Sequence, residues 1–122
     1  MAGVKYINQG DKSVLLMDLV RITDYRVLSS LVYESIRSVQ TAKVRGSVLA
    51  LIDLSETRIN QEVVSSLKRL SRNNGPYIKA VAFVGLSKTW SLLLSMLLLA
   101  RRKRNHRVMR ERSQALRWLV EQ

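Results

Sequence analysis

The chain has 122 residues, enough for one domain that buries roughly two-thirds of its unfolded surface. An apolar share of 47% with 25% charged residues is globular composition and excludes a disordered or collagenous chain. Cysteine is absent, which excludes disulfides, thiol chemistry and cysteine-based zinc sites, and the net charge of +12 favours encounters with phosphate-rich or acidic partners.

In chain order, the N-terminal MAGVKYINQGDK lacks a basic start followed by an apolar run, so the expected compartment is the cytoplasm. Val4–Asn8 and Ser13–Val20 read as two antiparallel strands, with Gly10 free to take a positive φ in the turn between them. Thr23 or Asp24 can cap a helix of about five turns, whose stripe is Val27, Leu28, Leu31, Val32, Ile36 and Val39. Gly46 lets the chain leave this helix. Ser47–Leu54 is nearly all apolar, as a strand covered on both faces must be.

After the loop Ser55–Asn60, Asn60 can cap a second helix with Glu62 in its first turn and Val63, Val64, Leu67 and Leu70 as its stripe. Asn74-Gly75-Pro76 should stop it, with glycine in a left-handed cap and proline unable to continue. Tyr77–Leu86 is another strand, ending near Gly85. Ser87 can cap a third helix. His106–Arg110 reads as a short edge strand, and Ser113–Val120 as a closing helix with Ala115, Trp118 and Leu119 on one side.

The third helix opens on WSLLLSMLLLA, residues 90–100, and runs into a basic cluster. Eleven residues make only ~16 Å of helix, and a bilayer needs roughly 20 residues, so no transmembrane span is expected. On a helical wheel, Lys88, Ser91, Ser95 and Arg102 share one side, and Leu93, Leu94, Leu97 and Ala100 lie opposite, against the sheet. Leu92, Met96, Leu98 and Leu99 are left over, beside the polar stripe. They make a candidate interface, and self-association into a homo-oligomer is the expectation. Residues 101–122 carry 8 basic and 2 acidic side chains, +6, equal to the excess of residues 1–100 with 13 and 7. The basic patch Arg101, Arg102, Lys103, Arg104 and Arg107 has three readings: plain helix capping, a contact for anionic lipid or protein, or a nucleic-acid arm.

The expected fold is therefore an α/β sandwich. It is a mixed, mostly parallel sheet of four to five strands with an N-terminal antiparallel pair, right-handed crossovers and about four flanking helices, in a single domain over residues 1–122.

Several segments together carry a family resemblance: Asp53-Leu54-Ser55 ending a strand, Asn60 before an amphipathic helix, Asn74-Gly75-Pro76-Tyr77-Ile78-Lys79, Val84-Gly85 ending the next strand, and SQALRWL at 113–119. In order and spacing this resembles the small bacterial SpoIIAA-like proteins of the STAS fold. The resemblance implies a mixed sheet with surrounding helices. It also implies action by docking on a partner protein, as in anti-sigma-factor antagonists. Their regulatory serine follows an aspartate near the start of the second helix; here the stretch is Asn60-Gln61-Glu62, without a hydroxyl.

No catalytic set is present: HExxH, P-loop and GxSxG motifs are missing, and the lone His106 reads as a solvated residue. No metal site or cofactor is expected. Ligands of open α/β sheets sit beyond the carboxyl ends of the parallel strands. The residues expected there are Asp53, Ser55, Thr57, Asn60, Gly85, Ser87 and Lys88, a polar set that could hold a small anion at a helix N-terminus. The expected function is that of a non-enzymatic interaction module docking on a partner protein. The alternative is peripheral binding to an anionic surface, acidic lipid or nucleic acid, through residues 101–107.

Overall fold

A computed structural model describes residues 3–42, 44–90 and 105–122. A β-hairpin opens the fold: β1 (Gly3–Gln9) pairs antiparallel with β2 (Lys12–Asp18), and Gly10 turns the chain with φ of 66°. Helix α1 (Tyr25–Ala42) leads to β3 (Val48–Asp53), and α2 (Gln61–Asn74) to β4 (Ile78–Val84). The chain returns in β5 (Asn105–Met109) and ends in α3 (Arg112–Val120). The strands lie side by side in the order β1-β2-β3-β4-β5, with every pair after the first parallel. This is the expected mixed sheet. Residues 88–90 are helical. The remainder of the expected third helix, its interface residues Leu92, Met96, Leu98 and Leu99, and Arg101–Arg104 of the basic patch lie outside the described residues.

The pleat sorts the strand residues between two cores. Leu15, Met17, Ala50, Ile52, Val81 and Phe83 face α1 and α2, while Val14, Leu16, Leu49, Leu51, Ala80 and Ala82 face the side where Ala115 and Leu119 of α3 pack. All six residues of β3 are buried, which is why its sequence runs apolar without alternation. Among the described residues, no helix is long and apolar enough to cross a membrane.

Four local expectations need correction. Val27 is exposed, because the face of α1 turned to the sheet is Leu28, Val32, Ser35 and Val39. Val64 is only half-buried, on the flank of the α2 stripe. Gly75 is not left-handed: with φ −50° and ψ −46° it carries α2 into a 3-10 turn, Gly75–Tyr77, and Pro76 fits there because the first turn needs no N–H. His106 is half-buried on β5, and its Nδ1 is buried with no hydrogen-bond partner among the described residues.

Candidate functional site

Parallel strands bring their carboxyl ends to one edge of the sheet, and two of them end alike. Met17-Asp18-Leu19 closes β2 and Ile52-Asp53-Leu54 closes β3, in register, so Asp18 stands directly beside Asp53. Two neighbouring carboxylates at the end of an apolar sheet need a cation. Arg112, the first residue of α3, supplies it. Its Nε and Nη2 donate to Asp53 Oδ2 at 3.0 and 2.7 Å, and Nη2 lies 3.5 Å from Asp18 Oδ2. The other oxygen of Asp53 accepts from the backbone N–H of Ser55 at 3.0 Å and from its hydroxyl at 2.6 Å. Asp18 Oδ1 in turn accepts from the N–H of Val20 at 3.2 Å.

Burial of Asp53, which is 5% exposed, pushes its pKa up. The two Ser55 hydrogen bonds and the Arg112 charge outweigh that and hold the carboxyl below its usual range. Desolvation likewise disfavours the charge on Arg112, but Asp53 and then Asp18 more than restore it, leaving its pKa raised. Asp53 and Arg112 are thus held in their charged forms, and every oxygen of Asp53 has a donor. A general acid or base needs a carboxyl that titrates near working pH and faces free space. Asp53 does neither.

The loops above the triad are stitched to one another. Leu19 N–H donates to Asp53 O at 2.9 Å, Leu54 N–H to Val84 O at 2.8 Å, and Arg21 N–H to Ser55 O at 3.1 Å. Thr57 is turned inward: its Oγ1 accepts from Ile22 N–H at 2.9 Å and donates to the carbonyl of Leu19. Arg21 and Glu56, both with positive φ, pair across the surface at 3.0 Å. Gly85, with φ of 88°, lies against Ser55; a Cβ there would stand 2.5 Å from Ser55 Cα and N.

The structure therefore brings Asp53, Ser55 and Gly85 into one cluster, keeps Thr57 in the loops above it, and sends Asn60, Ser87 and Lys88 elsewhere. Asn60 caps α2, accepting from Val63 N–H at 3.1 Å and donating to the Tyr25 hydroxyl. Ser87 accepts from Trp90 N–H at 3.4 Å, as a cap for residues 88–90. Lys88 is exposed. Of the basic patch, Arg107 is described, and its guanidinium lies 5.5 Å from the ring centre of Trp118, so one of its faces is taken within the fold.

Sequence reasoning missed Arg112 and Asp18. The twin strand endings, Asp-Leu after an apolar run, were the available signal for Asp18. Nothing local marks Arg112 among the basic residues around it. Between the loop after β2, the start of α1 and Arg112 lies an open cleft of about 550 Å³, lined by Val20, Ile22 and Val27 together with Asp18, Arg21, Thr23, Asp24 and Arg112. Among the described residues, six acidic (Asp18, Asp24, Asp53, Glu56, Glu62 and Glu111) and six basic (Arg21, Arg26, Arg58, Lys88, Arg110 and Arg112) stand at or just beyond the carboxyl ends of the strands, so this part of the edge is balanced in charge although the chain is strongly basic.

No family model matches the sequence, and no curated protein matches it. Among solved structures, an uncharacterised protein from the DUF3478 family with a SpoIIAA-like fold, from Shewanella loihica PV-4, is similar over 98% of this chain and 95% of that one, with a TM-score of 0.70 and 18% identity. With the element order and sheet topology above, that likeness shows that the chain has a SpoIIAA-like fold.

Proposed function

We propose that this chain is a non-enzymatic, cytoplasmic interaction module that docks on a partner protein through the carboxyl edge of its sheet. The observation carrying the reading is that the polar residues of this edge are spent on one another. Asp53, Ser55, Thr57 and Arg112 join the loops after β2 and β3 to the start of α3, and Gly85 lets the turn after β4 close against Ser55. What such a rigid edge presents is relief: an open cleft lined by both apolar and charged side chains, an Arg21–Glu56 pair and charges of both signs around the rim. Pre-formed loops lose little entropy on binding, which favours recognition of a folded surface. Docking is also what the resemblance to anti-sigma-factor antagonists implies.

The test compares proteins retained from a lysate of the native host by the wild type, by Arg58→Glu and Thr23→Arg on this edge, and by Glu34→Arg on the exposed face of α1. A species retained by wild type and Glu34→Arg and lost with both edge variants supports the reading. Equal retention by all four, or none by any, overturns it. Self-association through Leu92, Met96, Leu98 and Leu99 belongs to the same proposal; light scattering of wild type and Leu99→Glu should show an oligomer that the substitution dissociates.

A further inference from the structure

The opposite edge of the sheet has a different character. There the turn after α1 meets the turn after α2: Gly46 N–H donates to Pro76 O at 3.0 Å. The first turn is braced from within, since Ser47 donates to Val44 O from its N–H at 3.3 Å and its hydroxyl at 2.6 Å, and Gly46 takes φ of 70°. This bracing holds Val44 outward, 74% exposed, the most exposed of the large apolar residues described. Pro76 is exposed at the tip of the neighbouring turn. Around them stand cations: Arg45 beside Val44, Arg72 in the last turn of α2, and Lys79 at the start of β4, with Lys12 opening β2 on the same edge. None of these four has an ion pair among the described residues. β5 also begins on this edge, at Asn105, which donates to Gln122 at the end of α3; Glu121 beside it and Asp11 in the turn before β2 are the acidic residues here among those described.

We infer that this amino edge is a peripheral docking surface for an anionic lipid bilayer, with Val44 and Pro76 entering the headgroup layer and Arg45, Arg72 and Lys79 pairing with lipid phosphates. An apolar tip ringed by cations combines the two contributions that hold a monotopic protein at an interface, buried apolar area and attraction to anionic headgroups. A nucleic acid fits the edge less well: it gains little from an aliphatic tip, and Tyr77, the aromatic residue of these turns, is half-buried rather than presented for stacking. The edge is separate from the carboxyl edge, so one molecule can sit on a membrane and hold a protein partner at once.

Co-sedimentation of the full chain with phosphatidylcholine vesicles containing about 30 mol% phosphatidylglycerol, and with pure phosphatidylcholine, at about 50 and 300 mM salt, tests this. The expected result is binding to the anionic vesicles alone, falling steeply with salt, and weakened about fivefold by Arg45→Ala, as the loss of one surface cation implies. Val44→Asp should weaken it at least as much while leaving the thermal melt unchanged. Arg58→Glu, on the other edge, should bind vesicles as the wild type does. Failure to bind anionic vesicles at low salt overturns the inference. So does binding that ignores Val44→Asp and Arg45→Ala, or an oligonucleotide competing the vesicles off with its own binding insensitive to Val44→Asp. None of these outcomes bears on retention of a protein at the carboxyl edge.

Discussion

Asp53 decides how the candidate site is read. A carboxylate at the end of a parallel strand is where catalysis often resides, but this one is buried, ionised and fully engaged. Because its pKa is lowered in the fold, the stability it contributes is present above the unfolded carboxyl value, about 3.9. It is lost as pH falls through the lower folded value. Asp53→Asn should therefore cost about 2 kcal/mol at pH 7, less than a fully buried pair because Arg112 keeps part of its hydration. The gap between variant and wild type should close below about pH 4, as protonation removes the same charge from the wild type. Thermal melts across that range check this; a constant gap down to pH 2 would contradict it. At the same scale, Thr57 shows how far residue identity alone misleads. A threonine in a polar loop reads as ligand-facing, yet its hydroxyl serves two backbone groups from loops more than thirty positions away. That role depends on loop proximity, which no local pattern contains.

Elements were the most legible level. Strand β3 and helix α2 stood out because burial on both faces removes alternation, and because Asn60 and the stripe Val63, Leu67 and Leu70 mark a capped amphipathic helix. The parallel order and the meeting of the loops after β3 and β4 followed from it, but the part played by the loop after β2 did not. What was not legible depended on a few degrees of rotation or on distant pairing. The α1 stripe turns so that Ser35 is buried, donating nothing to the sheet but accepting from Asn74 Nδ2 at 3.1 Å, while Val27 faces the cleft. Gly85 is the position where elements constrain one another most tightly, since β4 can end there only by letting its backbone approach the loop after β3. Gly85→Ala forces either a strained positive φ or a displaced Ser55, and with it the Asp53 hydrogen bonds. It should destabilise by about 3 kcal/mol, measured by denaturant unfolding. A change under about 0.5 kcal/mol would mean that the two loops are not held together as described.

At the scale of the molecule, the +12 charge is unevenly placed. Among the described residues the carboxyl edge is neutral in sum, whereas the amino edge carries Lys12, Arg45, Arg72 and Lys79 against Asp11 and Glu121. Composition announced the charge but not its polarity, which appears only when strand direction assigns each loop to an edge. A SpoIIAA-like sheet so polarised has two edges of different chemistry, the one proposed here to dock on a protein and the one inferred to meet an anionic bilayer. The most direct test places a photo-reactive benzophenone side chain at Arg58, at Glu34 or at Val44, irradiates living cells of the native host, and reads the adducts by mass spectrometry. A discrete protein adduct from position 58, none from position 34, and lipid rather than protein adducts from position 44 are the predicted result. The same protein adduct from all three positions, or from position 34 alone, would contradict the assignment of the carboxyl edge as the docking face.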